Sequence, residues 1–257
     1  MIAKNILDAW RKNAPWPLLG QVEQDLIISR ALVELYKNNY LKTRIAFRGG
    51  TALHKLILPK PLRYSEDIDL NRLETGSAGP LIDEIKKSLG TMLGKPKKVE
   101  QTDRSVKIIY KFESIDGNIR KLKIEINVRE ILPETSLQEI VYGVDSEYFN
   151  GSTRITTFNT HEMMGTKIRA LYQRSKGRDL FDLFEFNKTS PDWGIIVTSF
   201  SKLNIGATKN DFEKNLLDKM EDQRFLTELA PLLPYGVQYN INEAYDWFIR
   251  EIIPLMD

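Results

Sequence analysis

Residues 47–70 read FRGGTALHKLILPKPLRYSEDIDL, and this stretch decides the fold. A strand-like run, TRIAFR (43–48), leads into Gly49-Gly50-Thr51. A helix is expected from Thr51 to about Leu58, stopped by Pro59 and Pro61. Glycine lets backbone N–H groups come close to phosphate oxygens, and a helix start favours anions. Taken alone, such a turn reads first as an ordinary strand-to-helix connection with Thr51 as its cap. The end of the stretch says more. In a strand over 66–70, Asp67 and Asp69 project to one face while Ile68 faces the core. Aspartate is depleted in strands, so two on one face need a reason. Neighbouring carboxylates repel unless a cation sits between them, and hard divalent ions suit them. The competing reading is a solvent-facing pair matched to Arg63 or Arg72.

Working outward, QVEQDLIISRALVELYKN (21–38) carries apolar residues at helical spacing. TGSAGP (75–80) reads as a loop whose proline opens a helix running through Met92. SVKIIYKFE (105–113) and IRKLKIEINVR (119–129) read as strands, with Asp116-Gly117 as a hairpin signal between them. A short strand is expected at 153–158. If Ile124, Ile126 and Val128 face the core, then Lys123, Glu125 and Asn127 share the open side. Glu125 is then a candidate third acid beside Asp69, although spacing alone favours a surface residue.

From Thr160 the pattern becomes helical: HEMMGTKIRALYQR (161–174), RDLFDLFEFNK (178–188), then segments at 192–203, 209–220, 222–230 and 240–253. The expected class is α+β, with a mixed sheet and flanking helices over 1–159 followed by a helical domain over 160–257 that closes the active-site cleft.

The chain has 257 residues, 42% of them hydrophobic, which is enough for a real core. It has no cysteine, so disulfides and thiolate–zinc sites are excluded, and a reducing cytoplasmic location is expected. No apolar run is long enough to span a membrane, and no membrane partner is expected. A net charge of +2 gives no overall polyanion-binding signature. Local basic runs, Lys95/Lys97/Lys98 and Arg169/Arg174/Lys176/Arg178, are more often solvated faces than nucleic-acid contacts. His54 and His161 lack zinc-ligand spacing, and the tryptophans are expected to pack.

The Gly-Gly-Thr turn, the Arg-x-Ser-x-Asp-x-Asp run from Arg63 to Asp69 and the Glu125 strand together resemble the nucleotidyltransferase superfamily. More narrowly they resemble the AbiEii-type toxins of bacterial type IV toxin–antitoxin systems. VEQDLIISRALVEL (22–35) is similar to that family's Glu-x-Asp helix, HEMMGTKIRALYQR to its lysine-bearing helix, and GRDLFDLFEF (177–186) to its Arg-Asp-x-x-Asp helix. The likeness spans roughly 20–187, and Thr51 stands where the family often has serine.

The resemblance implies roles. Gly49, Gly50 and Thr51 would hold a triphosphate, with Ser65 touching a phosphate. Asp67, Asp69 and Glu125 would bind Mg²⁺, or Mn²⁺ in its place. Lys167 would neutralise phosphate charge, Asp179 would complete the site's far wall, and Arg178 would contact an anion. Asp182, one turn after Asp179, would face the same side. The implied activity is transfer of a nucleoside monophosphate from an NTP to RNA, with the tRNA 3′ end the favoured acceptor and pyrophosphate released. A cognate antitoxin, encoded nearby and not necessarily in contact, is the implied partner. The rival readings are the same fold acting on a protein or small molecule, and a nucleotide-binding regulator without turnover.

Overall fold

The computed structural model describes residues 1–129, 136–203 and 205–256. The chain divides into two compact units, Met1–Phe158 and Asn159–Asp257.

The first unit opens with two helices, α1 (Lys4–Trp10) and α2 (Leu19–Lys37). Strand β1 (Ile45–Arg48) runs directly into α3 (Gly49–Ala52), which continues as a π-helical turn over Leu53–Ile57. Strand β2 (Asp67–Arg72) and helix α4 (Gly79–Leu93) follow. Five more strands complete the unit: β3 (Lys98–Gln101), β4 (Ser105–Glu113), β5 (Ile119–Asn127), β6 (Leu137–Ser146) and β7 (Phe149–Phe158). They form one seven-stranded sheet in the order β3-β4-β5-β2-β1-β7-β6. The sheet is mixed: β2 is antiparallel to β1 but parallel to β5, and β1 is parallel to β7.

Strand alternation creates the core. Ile68 and Leu70 of β2, Leu122, Ile124 and Ile126 of β5, and Val106, Ile108 and Tyr110 of β4 are fully or almost fully buried. Each such aliphatic side chain contributes about 1.5–3 kcal/mol when removed from water. The residues between them, Asp67, Asp69, Lys123, Glu125 and Asn127, are only half-buried on the other face.

Helix α2 is enclosed on nearly every side, so its polar residues must find partners inside the protein. Glu23 accepts from the backbone N–H of Ile2 (2.9 Å), from Ser114 Oγ (2.6 Å) and from the N–H of Ile115 (2.7 Å). Asp25 accepts from Trp10 Nε1 (3.0 Å) and Lys55 Nζ (3.0 Å). Gln24 donates to the carbonyls of Glu66 (3.2 Å) and Lys121 (2.9 Å), tying together the chain that enters β2 and the chain along β5. The Glu-x-Asp helix is therefore a buried polar spine that fastens the N-terminus, the β4–β5 hairpin and the π-turn.

The sequence does not announce every element. Helix α1 and strands β3 and β6 are additions, and β7 begins at Phe149, before the expected 153. Strand β6 lies at the edge of the sheet and exposes Val141 while interleaving Gln138, Glu139 and Asp145, so its hydrophobic alternation is weak. Strand β5 ends at Asn127 rather than 129, where the Asn127 side chain accepts from the N–H of Arg129.

The second unit is helical: α5 (Thr160–Gln173), α6 (Gly177–Asn187), α7 (Trp193–Ser201), α8 (Lys209–Met220), α9 (Gln223–Thr227) and α10 (Ile241–Trp247), the last continuing as a π-helical turn to Ile252. Its interior is aromatic. Phe212 stacks on Phe248, and Trp247 meets Trp193 and Phe184 edge-on. Trp193 and Trp247 are thus packing residues, as are the buried Trp10 and Trp16 of the first unit. No helix of the described residues is long and apolar enough to cross a membrane.

Candidate active site

The glycine turn and the aspartate strand touch. Strand β1 pairs with β2 so that Arg48 lies opposite Asp69. The next residue, Gly49, has φ +79°, a left-handed conformation that glycine adopts without strain. A Cβ on Gly49 would fall 2.5 Å from Oδ2 of Asp69. A Cβ on Gly50 would collide with the guanidinium of Arg63. Arg63 is 1% exposed, and its Nη1 donates to the Tyr64 carbonyl (3.1 Å). A carboxylate thus abuts one glycine and a buried cation the other.

The hydroxyl of Thr51 is committed within the fold. Its Oγ1 donates to the Asp67 carbonyl (2.5 Å) and lies 2.7 Å from Ser65 Oγ. Since Thr51 spends its proton on that carbonyl, Ser65 is the donor between the two hydroxyls. Thr51 is 1% exposed, so it anchors the helix start to β2. What the turn offers an anion is the backbone N–H groups of its first turn, which have no intrahelical partner.

The parallel register of β2 and β5 sets Asp67 beside Lys123 and Asp69 beside Glu125. Lys123 Nζ lies 3.0 Å from Oδ2 of Asp67 and 3.0 Å from Oε2 of Glu125. Lys107 of β4 approaches Oε1 of Glu125 at 3.5 Å. Burial lowers the affinity of Lys123 for its proton, but hydrogen bonding and charge from Asp67 and Glu125 more than reverse this and hold its pKa well above the ordinary value. Burial pushes the Asp69 carboxyl up, the charge of Asp67 pushes the same way, and Lys123 and Arg48 offset this only in part. Among the described residues, no group of three or more His, Cys, Asp or Glu is arranged to hold a metal ion. The expected closed triad of Asp67, Asp69 and Glu125 is thus not preformed, because an ammonium group sits between two of its members. The donor chemistry still fits a hard divalent cation: three carboxylates on one sheet face, one of them destabilised by burial and then by the neighbouring Asp67 charge.

The second unit holds its own ionic cluster. Lys167 of α5 is 4% exposed, and its Nζ lies 3.1 Å from Asp179 and 2.5 Å from Asp182, both on α6. The two carboxylates do face one side of their helix. Arg174 adds a bidentate contact to Asp179, 2.7 Å from Nε and 2.8 Å from Nη2. Burial raises the Asp179 carboxyl, but Lys167 and Arg174 outweigh it and hold it below the usual range. Arg178 lies 3.5 Å from Glu228, and Lys176 lies 3.9 Å from the same carboxylate. Much of the basic run is therefore matched by acids within its own unit.

A family model described as nucleotidyl transferase AbiEii toxin, type IV toxin–antitoxin system, matches residues 30–250. The chain belongs to the AbiEii family. It is therefore a nucleotidyltransferase toxin of the type IV class. No curated protein matches this AbiEii chain. Among solved structures, it resembles the nucleotidyltransferase toxin MenT4 of Mycobacterium tuberculosis H37Rv, with 13% identity, a TM-score of 0.64, and coverage of 100% of this chain and 91% of that one. At that identity the likeness shows the fold alone. An antigenic nucleotidyltransferase-like protein of Paracoccidioides brasiliensis aligns with 13% identity over 80% of this chain and 92% of its own, at a TM-score of 0.41.

Sequence reasoning missed two residues of the candidate site. Lys123 was visible only as a neighbour of Glu125, since its bridge to Asp67 depends on the β2–β5 register. Arg63 read as a surface partner for the aspartates, whereas it lies buried under Gly50.

Proposed function

We propose that the chain transfers a nucleoside monophosphate from an NTP to RNA, with the tRNA 3′ end as acceptor, at the Asp67–Asp69 face of the sheet. The observation that carries this reading is the contact between the two halves of the motif: Asp69 packs against Gly49, so a phosphate held by the turn lies next to the carboxylates. Asp67 and Asp69 would hold Mg²⁺, or Mn²⁺ in its place, and Glu125 would join them once freed from its lysines. A divalent ion held by these carboxylates would supply the charge that lowers the pKa of an attacking hydroxyl and offsets that of the leaving pyrophosphate.

The protein's own contribution is positioning and charge. Gly49 and Gly50 let the backbone approach the triphosphate. Thr51 and Ser65 fix the turn against β2. Arg63 places a buried positive charge behind the turn. Lys167 with Asp179 is proposed to act as a rigid ionic unit of the helical domain that takes part in catalysis, and Arg178 as an anion contact. The cytoplasm is the compartment in which NTPs and tRNA are available, and the partner expected from the type IV class is an antitoxin encoded nearby.

The test is incubation of each α-labelled NTP with total tRNA and Mg²⁺, wild type beside Asp69→Asn. Label on tRNA with wild type alone supports the reading and names the base. Label on protein or on a small molecule instead would move the acceptor. Pyrophosphate from none of the four NTPs, with both proteins folded, would leave the regulator reading standing.

A further inference from the structure

Lys123 occupies the space between two of the carboxylates proposed to bind metal. Its ammonium is at hydrogen-bonding distance from both Asp67 and Glu125, 3.0 Å each. We propose that Lys123 is the resident counter-cation of the nucleotide-free site, displaced by the incoming divalent ion and then transferred to the phosphates of the nucleotide. The inference rests on the assignment of Asp67, Asp69 and Glu125 as metal ligands.

Three observations carry it. First, the arrangement is imposed by the fold. Lys123 and Glu125 are two apart on β5 and share a face, and the parallel register puts Lys123 directly beside Asp67. Second, an ammonium lodged between two carboxylates competes with a divalent ion for them, because like charges at contact distance repel. Oε2 of Glu125 is closed to a metal while Lys123 holds it at 3.0 Å, whereas Lys107 stands further off, at 3.5 Å from Oε1. Third, Lys123 is free to move. Its side chain is 32% exposed and carries the ammonium on a flexible four-carbon stem, whereas the Lys167 side chain is 5% exposed and clamped between two aspartates. A lysine released from carboxylates seeks another anion, and the triphosphate is the one the reaction brings.

The arrangement makes metal and nucleotide binding mutually dependent. A nucleotide arriving with its divalent ion supplies both the cation that replaces the ammonium and the anion that receives it. A divalent ion alone must displace Lys123 with nothing to accept it.

The experiment is Mn²⁺ binding to the nucleotide-free full-length protein by electron paramagnetic resonance, with wild type, Lys123→Met, Lys123→Gln, Lys107→Met and Lys123→Met/Asp67→Asn. Binding of a non-hydrolysable NTP analogue in Mg²⁺ is measured in parallel, and circular dichroism confirms folding. Both Lys123 variants should bind Mn²⁺ about tenfold more tightly and the analogue about tenfold more weakly, while Lys107→Met changes each by less than about threefold. Asp67→Asn should abolish the gain. Unchanged or weaker Mn²⁺ binding in the Lys123 variants overturns the proposal. So does an equal gain in Lys107→Met, which would make it a general charge effect. Unchanged analogue affinity overturns the transfer to phosphate. Mn²⁺ binding by Lys123→Met/Asp67→Asn equal to that of Lys123→Met overturns the ligand assignment itself, and is told apart from the other failures by that indifference to Asp67.

Discussion

Gly49 and Asp69 are in contact through a side chain that is not there: a Cβ on the glycine would stand 2.5 Å from the carboxylate oxygen. Gly49→Ala therefore brings a backbone penalty at φ +79° and a steric one against Asp69. The backbone term alone is about 1–2 kcal/mol. The alanine variant should melt several degrees lower by circular dichroism and lose nucleotidyl transfer, because Asp69 must turn aside to admit the methyl group. Transfer at wild-type rates would show that Asp69 tolerates displacement and is not placed by this contact.

Gly90 is the counter-example. It lies within α4, has open space where a Cβ would go, and shows no left-handed φ. Gly90→Ala should stabilise the protein by about 0.4–1 kcal/mol, since the unfolded chain loses freedom that the helix does not need. A small rise in melting temperature with unchanged activity is the expected result.

Asp69 carries a conflict between stability and function. Its carboxyl is raised by burial and by Asp67, so the folded state holds its proton more tightly than the unfolded chain does. The sign follows by linkage: as pH climbs from the unfolded value of about 3.9 through the raised folded value, this group lowers stability. Asp69→Asn removes the charge at nearly constant shape. It should raise the melting temperature at pH 7 while cutting transfer at least about 100-fold, equivalent to about 3 kcal/mol of lost transition-state stabilisation. A variant that is both less stable and fully active would refute the metal-ligand role.

The shared face of Asp67 and Asp69, and that of Lys123 and Glu125, were legible in the sequence because strand alternation tells which residues of one strand point the same way. Lys123 was on the same face by the same rule, but its bridge to Asp67 is a cross-strand fact: it exists only because β2 and β5 pair in parallel with one particular register. Lys167 shows the same limit in the helical unit. Its position on an amphipathic helix could be read, yet its enclosure depends on how α5 packs against α6, which brings two aspartates to one ammonium. Strand β6 escaped because an edge strand carries little hydrophobic alternation. Local pattern reveals which way a residue faces, and tertiary pairing decides what it meets there.

The cluster of Lys167, Arg174, Asp179 and Asp182 yields the last prediction. Asp179 is fully buried and accepts from both cations, so Asp179→Ala leaves Lys167 with one carboxylate and strips Arg174 of its bidentate partner. Removing one member of a buried ion pair typically costs about 3–5 kcal/mol, because the remaining charge is uncompensated. Loss of activity in this variant is therefore expected to accompany loss of helical structure. Asp182→Asn keeps a hydrogen-bond acceptor near Lys167 and should cost less. The pH dependence separates structure from chemistry. Burial opposes the Asp179 charge, but Lys167 and Arg174 prevail, so its folded pKa lies below the unfolded one. A depressed carboxylate stabilises the fold above the unfolded pKa of about 3.9, and that contribution fades as pH falls through the folded value. Acid titration followed by circular dichroism should show wild type losing stability steeply below about pH 4. Asp179→Asn, already destabilised at pH 7, should show a shallower acid slope. Equal slopes would mean that Asp179 is not held in its charged form by this cluster.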